Sequence, residues 1–396
     1  MRFLHSADWH LGRPIRGKSR AAEFEAVLSE IVEIAVAERV DVLLVAGDIW
    51  DSASPSPDAD RLLFGALREL IGHGIEAVLI SGNHDSPRKL DAIGRLSELL
   101  NVHTQAFVRP HAAGGMITIE RDGERAEIAA IPWVPDGRAL NAIEILAEEH
   151  EARGMYQDSV EAIYGHMVQG YTPGAIHLLT GHVFVDGALL ATVDGSERRL
   201  HIDRAYGIDA ARLPSTPQYL ALGHIHHPQE LRDAPNGAAA YAGSILQLDF
   251  GEIGQQKVVR LIDVAPGRPV EQRAIPLTRG RSLVELRGTP DEVIAAGAEA
   301  GDAYIRAVLN VTAPEPGLAQ RVRDAVPGAV DVRLDYDRSE DDGSEVDFAD
   351  LAPEELFVRY FERQHGAGPS TELLALFREL VSEAAGGTAA GLVDAP

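Results

Sequence analysis

Cysteine is absent from the 396 residues, which excludes disulfides and thiolate metal sites and fits a reducing compartment. Long apolar runs are missing too, and nothing approaches the ~18 consecutive apolar residues of a membrane span. The opening "MRFLHSADWH" holds only a short apolar run before Asp8 and His10 and does not read as a signal peptide. Basic residues are scarce, 36 Lys and Arg against 61 Asp and Glu, for a formal net charge of −25. Taken alone, this deficit argues against a nucleic-acid partner, whose phosphates call for Lys and Arg. Net charge is a sum, however; binding depends on local patches, and bound cations can neutralise carboxylates. The expectation is a soluble, cytoplasmic protein with no membrane segment. Its length and 45% hydrophobic content suit two or three domains with a large core.

The first 90 residues alternate strand and helix patterns. "MRFLHSA", "DVLLVAGD" and "EAVLISGNHD" read as short buried strands. Between them, Phe24, Val27, Leu28, Ile31 and Ile34 form a helical stripe over 21–39, and Leu62, Leu63, Leu67 and Leu70 form another over 57–73. This βαβαβ opening predicts a largely parallel sheet covered by helices. Residues 137–168 look helical, and strands return at "IHLLTGHVFV" and "YLALGHIH", followed by "AYAGSILQLDF". The spacing predicts an α/β domain over 1–275, a small α/β domain over 280–336, an acidic linker at 337–350 and C-terminal helices over 351–396.

Five short motifs, each after an apolar run, contain the candidate ligands. They are "DWH" (Asp8, His10), "GDIWD" (Asp48, Asp51), "GNHD" (Asn83, His84, Asp85), "TGHVF" (His182) and "GHIH" (His224, His226). Alone, each has an ordinary structural explanation: a polar turn for D-x-H and GNHD, a satisfied core histidine for His182. Together, at successive strand ends, they point to a site, because α/β folds gather functional groups there. Imidazole, carboxylate and amide oxygen suit Mn, Fe or Zn. The set exceeds what one ion needs and suits two ions sharing a carboxylate, as in phosphoryl chemistry.

This ordered set resembles the calcineurin-like metallophosphoesterases. "SADWHLGRP", "LVAGDIWD", "ISGNHDSP", "ALGHIHHPQ" and "YAGSILQLDFGE" are similar, more narrowly, to the SbcD family of DNA-break nucleases. The resemblance implies a metallophosphoesterase sheet core flanked by helices, a small α/β capping domain and a C-terminal helical segment. It implies two divalent cations, usually Mn2+, one held by Asp8, His10, Asp48 and His226 and the other by Asp48, Asn83, His182 and His224. His84 would be the catalytic histidine, oriented by Asp51 or Asp85. The implied activity is 3′-to-5′ exonuclease and endonuclease hydrolysis of DNA, without a covalent enzyme intermediate. The implied partner is a coiled-coil ATPase of the SbcC type, gripped by the C-terminal helices, with a homodimer inside a heterotetramer. A phosphomonoesterase or cyclic-nucleotide phosphodiesterase with the same metals is the alternative.

One motif competes. "GRPIRGKS", Gly12 to Ser19, fits the P-loop pattern G-x-x-x-x-G-K-[ST]. A P-loop needs its first glycine directly after a strand, yet "DWHL" intervenes and Pro14 stiffens the loop. Arg13, Arg16 and Lys18, with Arg20, still form a basic cluster beside the candidate metals, and DNA phosphate is the expected occupant.

Overall fold

In a computed structural model of the chain, the described residues are 1–97, 100–134, 149–189, 207–235, 237–336, 353–365, 368–370 and 373–378. They fall into two compact units, Met1–Tyr336 and Asp337–Pro396.

Two six-stranded sheets make the body of the first unit. The first carries β1 (Arg2–Ser6), β2 (Val42–Val45), β3 (Glu76–Ile80) and β4 (Val102–Gln105), all parallel, with β11 (Val258–Asp263) and β12 (Glu271–Pro276) added antiparallel beyond β1. The second has the order β5 (Met116–Arg121), β6 (Glu124–Ile131), β7 (Ile176–His182), β8 (Tyr219–Gly223), β10 (Ala239–Tyr241) and β9 (Gln229–Leu231). Side chains on a strand alternate between faces, and the packing follows that period. Val42, Leu44, Val78 and Ile80 meet Ile128, Ile176, Leu178 and Ala221 of the second sheet in one dry cluster. On the opposite face of the first sheet, Leu43, Val45, Ala77 and Leu79 pack against α1 (Ala21–Ala37), α2 (Pro57–Gly72) and α3 (Pro87–Ser97). The second sheet's outer residues Ala129, Leu179, Leu220 and Leu222 pack against Tyr156, Val160, Tyr164 and Met167 of α4 (Glu149–Val168).

Among the described residues the architecture is thus α/β/β/α, with helices on one face of each large sheet. This refines the expected parallel sheet covered by helices. A strand apolar on both faces cannot tell a helical cover from a second sheet. Helix starts follow local chemistry: the Ser56 hydroxyl accepts from Ala59 N at 3.3 Å, with Pro57 in the first turn of α2. The helical pattern predicted over 137–168 appears as α4, and residues 135–148 lie outside the described set. Among the described residues no helix is long and apolar enough to cross a membrane.

A third, all-parallel sheet of β13 (Leu283–Gly288), β14 (Tyr304–Asn310) and β15 (Ala329–Asp335) alternates with α5 (Pro290–Glu299) and α6 (Leu318–Ala325). Its attachment to the body is both apolar and ionic. Leu283 and Tyr304 pack with Ile15 and Phe250. Arg306, only 2% exposed, lies 3.1 Å from Asp331, 3.5 Å from Glu285 and 3.9 Å from Asp249, with its guanidinium over the Phe250 ring. Arg16 reaches the same Asp249 and Asp331 at 3.5 and 3.3 Å. On the other side Glu30 accepts from the backbone N–H groups of Thr278 and Arg279 at 3.0 Å.

In the second unit, α7 (Pro353–His365) and the helical turn 373–378 pair through Phe357 and Phe377, whose rings stack at 4.2 Å. Ser370 Oγ accepts from Leu373 N at 3.2 Å and starts that turn. The pairing covers part of the apolar surface, while Tyr360 and Leu376 stay exposed at 62% and 51%. The acidic stretch 337–350, Thr371, Leu380, Val381 and the glycine-rich tail lie outside the described residues.

Arg306→Ala removes the buried cation that meets Asp249, Glu285 and Asp331 together, while Arg16 stays on the two aspartates. Equilibrium urea unfolding should show a loss of about 3 kcal/mol, at the low end for breaking a buried pair because part of the charge stays compensated.

Candidate metal centre

The carboxyl ends of five strands converge where the two large sheets meet. β1 leads to Asp8 and His10, β2 to Asp48, β3 to Asn83 and His84, β7 ends at His182, and β8 leads to His224 and His226. Asp8, His10, Asp48 and His224 have φ of +49°, +46°, +50° and +105°, the left-handed region that non-glycine residues avoid. Strain repeated at four candidate ligands marks a site whose surroundings over-determine the backbone. Two glycines permit the convergence. A Cβ on Gly82 would stand 2.1 Å from Asp48 Oδ1, and one on Gly223 would stand 1.8 Å from the Ala46 carbonyl.

The donor atoms form three overlapping clusters, Asp8–His10–His226, His10–Asp48–His84 and Asp48–His182–His224, so His84 comes within reach of the donors it borders. His10 Nε2 and His226 Nε2 lie 3.1 Å apart, with Asp8 beside them. Asn83 Oδ1 lies 3.0 Å from both His182 Nε2 and His224 Nδ1. Asp48 Oδ2 is 3.5 Å from His10 Nε2 and 3.5 Å from His182 Nε2, so one carboxylate oxygen faces both imidazoles. Atoms bound ~2.1 Å from a common ion stand about this far apart. Asp8 Oδ2, in the group with His10 and His226, is buried without a hydrogen-bond partner. Such an atom is costly unless something binds it. The nitrogen and oxygen donors, their spacing and this orphaned oxygen fit divalent cations.

His84 stands next to His10 and Asp48. Its ring centroid is 4.8 Å from that of His10, and its backbone N–H donates to Asp48 Oδ1 at 2.9 Å. His84 Nδ1 lies 3.0 Å from the main-chain carbonyl of Asp51. The Asp51 carboxylate is turned elsewhere, 2.9 Å from Arg13 Nη1 and 3.4 Å from His10 Nδ1. Asp85 is fully engaged, accepting from the backbone N–H groups of Ile49, Trp50 and Gly82 at 3.2, 2.9 and 2.8 Å. It ties the Asp48 loop to the Asn83 loop, and its hydrogen bonds go to backbone N–H groups. Of the two candidates for orienting His84, Asp51 is therefore the neighbour, through its backbone.

The basic cluster is not a free patch. Besides the ion pairs of Arg13 and Arg16, Lys18 Nζ donates to the Pro327 carbonyl at 3.0 Å, and Arg20 pairs with Glu23 at 2.8 Å. Ile15 and Lys18 form a β-bridge, and α1 begins only at Ala21, so Gly12–Ser19 is a tight turn and not a phosphate-binding loop opening a helix.

Burial and charge set the protonation pattern. Burial pushes Asp8 up to about 6 against the pull of His182 and His226. Burial alone would raise Asp48, but His182, His10 and His84 hold it well below the carboxylate range. Burial lowers His10 to about 4 and, with His182, holds His224 well below its ordinary value. His182 is opposed by burial, yet Asp48 and then Asp8 override it and raise it to about 9. Asp85 is pushed up to about 7 by burial and by the charge of Asp48.

Two buried groups escaped the sequence reading. Glu252 and Lys257 form an ion pair at 2.7 Å, and Glu252 Oε1 lies 3.0 Å from His226 Nδ1. The stretch "YAGSILQLDFGE" contains Glu252, but nothing local marks it as a neighbour of His226. Trp133, stacked on His224 at 5.1 Å, also went unnoticed, since it follows β6, a strand that supplies no ligand.

The calcineurin-like phosphoesterase family matches residues 1–228, and a family described as type 5 capsule protein repressor C-terminal domain matches 279–365. The SbcD component of the SbcCD nuclease of Bacillus subtilis (strain 168) is 30% identical over 390 residues, covering 96% of this chain and 98% of that protein. Its namesake from Rhodobacter capsulatus is 34% identical over 313 residues, 75% of each chain.

With its pKa raised to about 9, His182 carries a proton at neutral pH when no cation is bound. Cation binding must displace that proton, so affinity should climb roughly tenfold per pH unit toward pH 9, with about one proton released per chain at pH 7. Titration calorimetry in two buffers of different ionisation enthalpy measures the release; identical heats in both contradict this charge assignment.

Proposed function

Since the chain belongs to the calcineurin-like phosphoesterase family, and within it to the SbcD nucleases, we propose that it hydrolyses DNA phosphodiester bonds with two divalent cations, most naturally Mn2+. The observation that carries the reading is Asp48 facing two donor groups at 3.5 Å each, with His84 held beside them. Asp8, His10, Asp48 and His226 would hold one cation, and Asp48, Asn83, His182 and His224 the other. Bound there, the pair would neutralise phosphate charge and supply a nucleophile at neutral pH.

The residues around the pair divide the remaining work. His84 Nδ1–H donates to the Asp51 carbonyl, which sets the ring and leaves Nε2 for the substrate. In the imidazolium form, Nε2–H donates to the sugar oxygen as the P–O bond breaks, the point at which negative charge develops. Asp51 then acts through its backbone, while its carboxylate keeps Arg13 at the edge of the site. Arg13, Arg16 and Lys18 can reach DNA only by exchanging their present partners. Arg16 and Lys18 are better accounted for by attachment of the small domain, and Arg13 is the cation we assign to substrate phosphate.

The alternative, a phosphatase acting on small esters, needs the same metals but not the α/β domain or the paired helices. We assign the helices of the second unit to a coiled-coil ATPase partner, in a complex of two copies of each chain. Support comes from the exposed Tyr360 and Leu376 beside the stacked Phe357 and Phe377.

His84→Ala should keep both cations by elemental analysis while losing about 10²- to 10⁴-fold of Mn-dependent cleavage of linear duplex DNA. Asp48→Ala should lose both cations. Comparable loss of metal in the two variants, or faster turnover of a small phosphate ester than of long DNA, overturns the reading.

Truncation after Asp350 should leave metal content and basal cleavage intact and abolish co-purification with the ATPase. A truncated chain that still binds the ATPase tightly refutes the assignment of the helices.

A further inference from the structure

We infer that Glu252 is a positioning residue: braced by Lys257, it fixes the His226 imidazole so that Nε2 is presented to the cation position shared with Asp8 and His10. The inference rests on the two-cation reading above. It names what sets the affinity of one position without touching the cation.

Glu252 is wholly buried, and three groups converge on it. Oε2 takes Leu248 N at 3.0 Å and lies 2.7 Å from Lys257 Nζ, while Oε1 lies 3.0 Å from His226 Nδ1. The Ser244 hydroxyl, 3.3 Å from Oε2, has the Leu246 carbonyl as its nearer acceptor at 2.9 Å. Paired with the buried ammonium, the carboxylate is ionised and can only accept, so the hydrogen toward Oε1 comes from His226 Nδ1. Lys257 is buried as well, and its Nζ also donates to the main-chain carbonyl of His226 at 2.9 Å. The pair therefore clasps one residue at two points, the carboxylate on the ring and the ammonium on the backbone.

A hydrogen on Nδ1 leaves the lone pair on Nε2, the nitrogen that stands 3.1 Å from His10 Nε2. The other histidines use weaker orienting groups. His182 Nδ1 meets the Ala46 carbonyl at 2.8 Å, and His10 Nδ1 stands 3.4 Å from the partly exposed Asp51 carboxylate. Among the described ligand histidines, His226 alone has a fully buried carboxylate with its own buried counter-ion. Such outer partners typically carry about 10- to 100-fold in metal affinity. Glu252 is itself held in register, since the short helical turn Phe250–Glu252 is capped by Asp249 and its Phe250 ring lies under Arg306.

The test uses the full chain labelled with 15N-histidine. Without cation, long-range proton–nitrogen correlation should show His226 protonated at Nδ1 and bare at Nε2. In Glu252→Gln the amide must aim a donor at one of the three converging donors, and the Nε2–H tautomer should gain population. In Mn2+ titration one of the two binding steps should weaken about 10- to 100-fold while the other stays in place. Glu252→Gln combined with Lys257→Met leaves no lone buried charge and should show the same selective loss if the single variant fails to fold. A wild-type His226 protonated at Nε2, or a folded variant with both binding steps unchanged, overturns the inference. A wild-type chain that binds a single Mn2+ with His226 in the expected tautomer would instead fault the two-cation reading.

Discussion

Asp48 carries a negative charge into the protein interior, where it is only 2% exposed. Its carboxylate lies between His10 and His182, takes the His84 N–H, and fills the space a side chain at Gly82 would need. A buried charge is tolerated only when it is paired and hydrogen-bonded, and every partner of Asp48 comes from a different loop. Satisfying this one group draws the ends of β1, β2, β3 and β7 together. The left-handed backbone at Asp8, His10 and Asp48 and the bare Cα of Gly82 follow from the same crowding. Cations would complete an arrangement that the chain alone leaves electrostatically unfinished, as the orphaned oxygen of Asp8 indicates.

The split in protonation between two neighbouring carboxylates expresses the same constraint. Asp8 and Asp48 are both buried, yet Asp48 keeps its charge because three imidazoles surround it, while Asp8 drifts upward. His182 takes the proton that this imbalance invites. The cation-free protein therefore holds a proton where a metal would sit, a substitution of one positive charge for another within nearly the same geometry.

Much of this was legible because the ligands sit in short motifs at strand ends, where residue type and spacing carry the information. Asp8 with His10, Asn83 with His84 and His224 with His226 are each encoded in a short local window, so no long-range knowledge was needed to suspect them. The second sheet was not legible as a partner of the first. Val42, Leu43, Leu44 and Val45 are apolar without a break, and such a run says that both faces are covered but not by what. Glu252 and Lys257 were hidden for a related reason: their meaning lies in a contact 26 residues away from His226, and in sequence they look like ordinary surface charges. The basic turn misled in the opposite direction. Its composition suggested free cations, and the aspartates that engage Arg16 come from positions 249 and 331, far beyond any local window.

That last connection gives the small domain a reach its size does not suggest. Asp249, which Arg16 and Arg306 both approach, opens the helical turn that ends in Glu252. Residues of β14 and β15 thus stand, through Asp249, one short turn away from the carboxylate that meets His226.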